Sequence, residues 1–165
     1  MEPDRQVDTR MSKLRAARID EVRSVLLPIE EATQVSGWSE KLYVREFETS
    51  FSHISIIEEE GAPAGFIVFW IVADELHILN VAVHPSFQRR GLGRDLVMHA
   101  IEAATHARAG FATLEVRHHN LPAIRLYEGL GFKEIAYRKA YYADNGDDAR
   151  ILGLLLDLPA QVTND

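Results

Sequence analysis

Apolar residues change their spacing several times along this chain, and each change marks an element. From Asp20, the residues Val22, Val25, Leu26 and Ile29 recur three and four positions apart, one face of a helix that fades after Thr33, with Gly37 closing the region. Ser39 follows Trp38 as the N-cap of a second short helix carrying Leu42, Tyr43 and Phe47. The spacing then becomes extended. Ile54, Ile56 and Ile57 lead into an acidic turn at 58–63 and a β-rich run from Phe66 to Val72, which predicts a hairpin. Leu76 to Val83 is apolar on both faces apart from His77 and Asn80, the pattern of a central strand, and Pro85 stops it.

Helical spacing returns with Leu92, Leu96, Val97, Ala100, Ile101 and Ala104, a long amphipathic helix ending near Gly110. Phe111 to Val116 reads as a strand. Pro122 fits the first turn of a further helix bearing Ile124, Leu126, Tyr127 and Leu130, with Gly131 as its stop. Two strands, Phe132 to Tyr137 and Ile151 to Leu156, complete the pattern, joined by a polar loop with Asn145 and Gly146. The order is two helices, three antiparallel strands, a helix, a strand, a helix and two strands. It predicts a single α/β domain with a mixed, mostly antiparallel sheet and helices on both faces. Residues 1–11 are polar and aperiodic and predict a flexible tail, with Met11 an alternative start; the domain is expected over 12–158 and a second tail over 159–165.

Composition narrows the classes. A chain of 165 residues, 47% hydrophobic and 26% charged, has the material for one core. Its longest apolar run, Phe66 to Ala73, is well short of the ~20 residues a membrane span needs, and the polar N-terminus has no secretory stretch, so neither a membrane partner nor export is expected. The absence of cysteine excludes disulfides, thiolate metal sites and a cysteine nucleophile, and fits a reducing, cytoplasmic location. A net charge of −7 disfavours nucleic acid and suits a cationic partner. Adjacent His118 and His119 point to different sides and carry no H-E-x-x-H pattern, so no metal is expected.

The densest chemistry lies in Gln88-Arg89-Arg90-Gly91-Leu92-Gly93-Arg94, after a buried strand and at the start of the long helix. A helix N-terminus leaves backbone N–H groups unpaired at the positive end of the macrodipole, and the two glycines let phosphate oxygens approach. The dinucleotide fingerprint wants a third glycine where Leu96 stands, and the mononucleotide loop wants Gly-Lys-Ser/Thr; neither is present. Three arginines clustered on an acidic chain favour a phosphate site over a solvated basic rim.

With that Q/R-x-x-G-x-G/A motif the chain resembles the GNAT superfamily of N-acetyltransferases. Asn80-Val81-Ala82-Val83-His84-Pro85, Leu114-Glu115-Val116-Arg117, Asn120 and Leu126-Tyr127-Glu128-Gly129-Leu130-Gly131-Phe132 are similar to its ribosomal-protein-alanine N-acetyltransferase branch. Trp38-Ser39-Glu40, Tyr141-Tyr142 and Asp147-Asp148-Ala149 extend the likeness over almost the whole chain from about Leu14. The resemblance implies acetyl-CoA as cosubstrate. It implies backbone of Val81, Ala82 and Val83 against the pantetheine arm, and Arg89, Arg90, Gly91, Leu92, Gly93 and Arg94 around the pyrophosphate. It further implies Asn120 bonded to the cofactor, Glu115 as general base and Tyr127 as general acid. Trp38, Tyr141 and Tyr142 are expected at the acceptor, a protein or peptide N-terminus, the alanine terminus of a small-subunit ribosomal protein. Gly37 departs from the branch, where a proline often precedes Trp-Ser, and the loop after Tyr142 is short.

Acetyl transfer needs the two side-chain types independently of the resemblance, since an attacking α-amine of pKa ~8 must lose a proton and the leaving thiolate must gain one. From the residues alone, Glu115 could equally be a strand residue paired with Arg117, and Tyr127 a core aromatic with a bonded hydroxyl. Glu58-Glu59-Glu60 reads as a solvated turn, and Asp144, Asp147 and Asp148 as loop residues that a basic peptide could pass. Two other functions stay open: acetylation of a small amine or lysine, and a non-catalytic acyl-CoA-binding regulatory module.

Overall fold

A computed structural model of the chain describes residues 12–33 and 37–157; the tails expected at 1–11 and 159–165 lie outside the described residues. Seven strands form one sheet: β1 Ser12–Ala16, β2 Ser52–Glu59, β3 Ala62–Val72, β4 Glu75–Val83, β5 Phe111–Arg117, β6 Lys133–Arg138 and β7 Ala149–Leu155. Their spatial order is β1-β2-β3-β4-β5-β7-β6, antiparallel throughout except for β4 and β5. The helices are α1 Leu27–Thr33, which continues from a π-helical turn at Val22–Leu26, α2 Glu40–Phe47, α3 Leu92–His106 and α4 Leu121–Gly129. This is the mixed α/β architecture expected from the spacing.

Alternation along the strands divides the core into two layers. Ile54 and Ile56 of β2, with Phe66 and Val68 of β3, pack under Val22, Leu26, Ile29 and Tyr43. Ile57, Ile67 and Phe69 emerge on the other side, under Leu92, Leu96, Val97 and Ala100 of α3 and Ile124 of α4. Ser39 caps α2 as expected, its hydroxyl accepting from the Leu42 N–H at 3.4 Å.

β1 has no counterpart in the sequence reading. Its five residues include only Leu14 as a large apolar side chain, so neither helical nor strand periodicity marks it. Pairing with β2 holds it at the sheet edge, and so does Arg15, whose guanidinium reaches Glu58 at 2.7 Å and Glu21 at 2.7 and 3.0 Å. The expected acidic turn at 58–63 is also smaller than its composition suggests. Glu60 and Gly61, both with positive φ (53° and 80°), form a two-residue turn, and Glu58 and Glu59 belong to β2.

Two irregularities of β4 open the sheet around its second half. Val68 pairs with Asn80 and Phe69 with Ile78, so Leu79 is an extra residue, a β-bulge. Leu76 and Ile78 face α3, whereas Leu79 packs on the α1–α2 layer and its neighbour Asn80 reaches the same side. The second irregularity lies on the opposite edge, where pairing with β5 runs from Glu75↔Phe111 only to Ile78↔Leu114. Beyond those positions β4 continues to Val83 and β5 to Arg117 without a shared register, and the strands part.

Candidate active site

A cleft of about 480 Å³ opens where β4 and β5 separate. Of the residues expected at the site, Trp38, Val81, Glu115, Asn120, Tyr127 and Tyr142 line it together. Tyr141 does not line it but touches it through Glu115, to which its hydroxyl donates at 3.0 Å. Trp70, His77 and Thr113 also line the cleft and were not singled out from the sequence. Their signal was available, since His77 is polar within an apolar strand and faces Trp70 and Thr113 across the ladder.

Glu115 stands between buried Leu114 and Val116, so the β alternation turns it to the open face of β5. The pairing with Arg117 that spacing allowed does not form. Arg117 instead binds Asp144 at 2.7 Å and Asp147 at 3.4 Å, with its guanidinium 3.9 Å from the Tyr142 ring centroid. Hydrogen bonding to Arg117 holds Asp144 below its usual carboxylate range. Asp148 is held low in the same way by the Tyr137 hydroxyl at 2.6 Å, and it also accepts the Ala140 N–H at 2.8 Å. The three aspartates are loop residues, as expected, and are tied into the β6–β7 connection, with the Asp144 side chain still 64% exposed. That connection is ordered further by the N–H groups of Tyr141 and Tyr142, both donating to the Asp147 carbonyl at 3.0 and 3.1 Å.

Tyr127 comes from α4, whose start is set by Pro122 and by Asn120, the latter accepting the Ala123 N–H through Oδ1 at 3.3 Å. Gly131, at φ 97°, ends the helix. The Tyr127 ring is 7% exposed and meets Phe132 edge-on at 5.7 Å. No group among the described residues bonds its hydroxyl, unlike a core tyrosine with a satisfied phenol, and burial pushes its pKa well up.

Ala82, Val83 and residues 89–94, also expected at the site, do not line the cleft; among them Gly91 caps α3 in the left-handed region at φ 78° and offers no side chain to the N–H groups of the first turn. Gln88 anchors the loop to β4 by donating from Nε2 to the Val83 carbonyl at 3.0 Å. A Cβ at Gly93 would stand 3.4 Å from Leu126 of α4, an ordinary contact, but one that would narrow the approach to the helix end. Arg89 and Arg94 are exposed and make no ion pair among the described residues. Arg90 leans toward Glu59 and Glu60 at 3.9 and 3.7 Å. The run Glu58-Glu59-Glu60 is thus not a uniformly solvated turn: Glu60 alone is exposed, Glu58 holds Arg15, and Glu59 is 8% exposed with a buried Oε2 lacking a partner among the described residues. No three His, Asp or Glu side chains gather as a metal set among the described residues, and no described helix is long and apolar enough to cross a membrane.

Residues 20–132 match the Acetyltransferase (GNAT) family. The [Ribosomal protein bS18]-alanine N-acetyltransferase of Escherichia coli (strain K12) is 36% identical over 132 residues, covering 79% of this chain and 88% of that protein. An N-alpha-acetyltransferase of Sulfurisphaera tokodaii is 32% identical over 123 residues, 67% of this chain and 71% of that protein. The crystal structure of the ribosomal-protein-S18-alanine N-acetyltransferase from Escherichia coli superposes with a TM-score of 0.81 at 31% identity, over 92% of this chain and 98% of that one. Because the family match spans most of the folded chain and ends at Phe132, where α4 has delivered Tyr127 to the cleft, the chain belongs to the GNAT family of acetyltransferases.

Proposed function

We propose that this enzyme transfers the acetyl group of acetyl-CoA to the N-terminal α-amine of a protein, the terminal alanine of a small-subunit ribosomal protein, by direct attack in a ternary complex. The observation that carries the reading is that Glu115 of β5 and Tyr127 of α4 line one cleft at the opening between β4 and β5. Similarity to enzymes named for ribosomal-protein alanine acetylation supports the acceptor. The lack of cysteine and such an acceptor both fit a cytoplasmic location.

The residues suit acetyl-CoA. A helix N-terminus without a side-chain cap, with Gly91, Gly93, Arg89, Arg90 and Arg94, suits its phosphates, and the β4 edge at Val81, Ala82 and Val83, unpaired with β5, suits its amide arm. The Asn120 amide nitrogen has no partner among the described residues and is available to the same ligand. Bound there, acetyl-CoA supplies an activated thioester. Glu115 takes a proton from the ammonium, directly or through water, so that nitrogen can form the new bond to the acetyl carbon. Tyr127, kept protonated by burial, gives its proton to sulfur as the C–S bond breaks. With no cysteine in the chain, a thioester acetyl-enzyme is excluded. Trp38 and Tyr142 wall the acceptor side, while Tyr141 steadies Glu115.

Mass spectrometry of a peptide library incubated with enzyme and acetyl-CoA tests the reading. Acetylation confined to the α-amine of peptides beginning with alanine is expected. Modification of lysine side chains or free polyamines, or binding of acetyl-CoA without turnover, would replace it with one of the other two functions.

A further inference from the structure

Between α1 and β4 lies a buried carboxylate that the reaction above does not use. Glu30 is 4% exposed. Its Oε2 accepts from the Tyr43 hydroxyl at 2.6 Å and from Nδ2 of Asn80 at 3.0 Å, and its Oε1 accepts the backbone N–H of Trp38 at 3.2 Å. Asn80 Nδ2 also lies 3.1 Å from the Tyr43 oxygen, so α1, the connection to α2, α2 itself and β4 share one network.

Taking a carboxylate out of water is costly even when its oxygens are satisfied, and apolar side chains of similar volume would hold these helices at least as well. What the network fixes is position. Two of its members, Trp38 and Asn80, line the cleft, while Glu30 and Tyr43 stand behind them. The Trp38 ring rests 5.2 Å from Tyr43, which itself meets Phe66 edge-on at 5.7 Å, so the indole is backed by core. Asn80 reaches the network only because the bulge at Leu79 turns it to the α1 side.

We propose that Glu30 is a positioning residue for the acceptor, its carboxylate holding Trp38 and Asn80 as the wall of the cleft on the α1–α2 side. This rests on reading that part of the cleft as the acceptor site. Recognition of the peptide then depends on Glu30, whereas the α3 end, which serves the phosphates, does not.

Steady-state kinetics with an alanine-terminal peptide, calorimetry with acetyl-CoA and the fluorine spectrum of protein labelled with 5-fluorotryptophan test the idea in wild type and Glu30→Gln. The chain has two tryptophans, and Trp70→Phe assigns their two signals. Glu30→Gln sets an amide NH₂ against either the Trp38 N–H or the Asn80 amide, so one donor loses its acceptor whichever way the new amide turns. It should raise the peptide KM about tenfold, leave kcat at saturating peptide and the acetyl-CoA Kd within about twofold, and shift the Trp38 signal while leaving that of Trp70. Adding Asn80→Asp supplies an acceptor for that NH₂ at position 80, leaves the glutamine carbonyl for the Trp38 N–H, and should return KM toward wild type. An unchanged KM with an unshifted Trp38 signal overturns the proposal, as does a parallel rise of KM and Kd with a lowered Tm, which marks a general stabiliser. Should Glu30→Gln fail to fold, Tyr43→Phe removes one donor and carries the same readouts with a smaller shift. A wild-type protein that acetylates no peptide defeats the functional reading alone, and the fluorine signals still decide whether Glu30 holds Trp38.

Discussion

The phenol of Tyr141 donates to Oε1 of Glu115 at 3.0 Å, joining the β6–β7 connection to β5. Because Arg117 binds that connection through Asp144 and Asp147, the orientation of the proposed base depends on a loop and on the clasp that orders it. Tyr141→Phe keeps the ring and removes the tether, and kcat should fall about three- to tenfold, the scale of one solvent-accessible bond to a charged group. Arg117→Ala should lower kcat further and raise the peptide KM, since it frees Tyr142 as well. Steady-state rates with a single peptide check both, and a wild-type rate for Tyr141→Phe would mean that Glu115 orients itself.

Tyr127 and Glu115 should separate by their pH behaviour. Burial raises the Tyr127 pKa above the ordinary phenol value of ~10, so the hydroxyl stays protonated over the working range and no alkaline limb belongs to it. Tyr127→Phe should lose ~10²- to 10⁴-fold in turnover at every pH, with little change in acetyl-CoA affinity. The Glu115→Gln defect should shrink as pH rises, because more of the amine is then already neutral. Rate profiles for both variants decide this; near wild-type turnover by a folded Tyr127→Phe protein reduces Tyr127 to packing.

Gly91 holds the start of α3, the proposed phosphate site, in the left-handed region, which a β-branched side chain resists. Gly91→Val should raise the acetyl-CoA Kd by about two orders of magnitude through loss of the α3 cradle, with much smaller change in the melting temperature. Calorimetry that finds wild-type affinity in the folded variant removes the phosphate site from this helix end.

Acid stability should depend on Glu21. It is 5% exposed, and hydrogen bonding to Arg15 holds its carboxyl below the usual range, assisted by the Arg18 N–H at 2.8 Å. Between the ordinary value of ~4.3 and that depressed value the unfolded chain carries the proton and the folded chain does not. Its contribution is therefore complete above the ordinary value and is lost as pH falls through the depressed one. Glu21→Gln should cost about 1–3 kcal/mol at neutral pH and flatten the acid limb. Urea titrations at neutral pH and near pH ~3.5 measure both effects; an unchanged neutral midpoint would mean that Glu58 alone satisfies Arg15.

What the chain discloses locally and what it conceals divide along physical lines. The start of α3 at Gly91 was legible because the conformation of a helix N-terminus is decided by its own residues. The amphipathic faces of α3 and α4 were legible because burial follows from spacing. Glu30 was not, since its burial is decided by Tyr43 and Asn80, thirteen and fifty positions away. Arg117 likewise finds its aspartates 27 and 30 residues on rather than Glu115 two residues back. The Leu79 bulge belongs to the register between two strands and has no mark in either alone. β1 escaped because charge, through Arg15, holds it more than hydrophobic pattern does.

The four register pairs between β4 and β5 are also the whole seam between two half-sheets, four strands on one side and three on the other. One core cluster runs beneath that seam, Ile67, Phe69 and Ile78 on the four-strand side packing with Leu114, Val116 and Leu152 on the other. The place where the sheet fails to close therefore leaves the facing edges of β4 and β5 open to a ligand while the core beneath keeps the two half-sheets together.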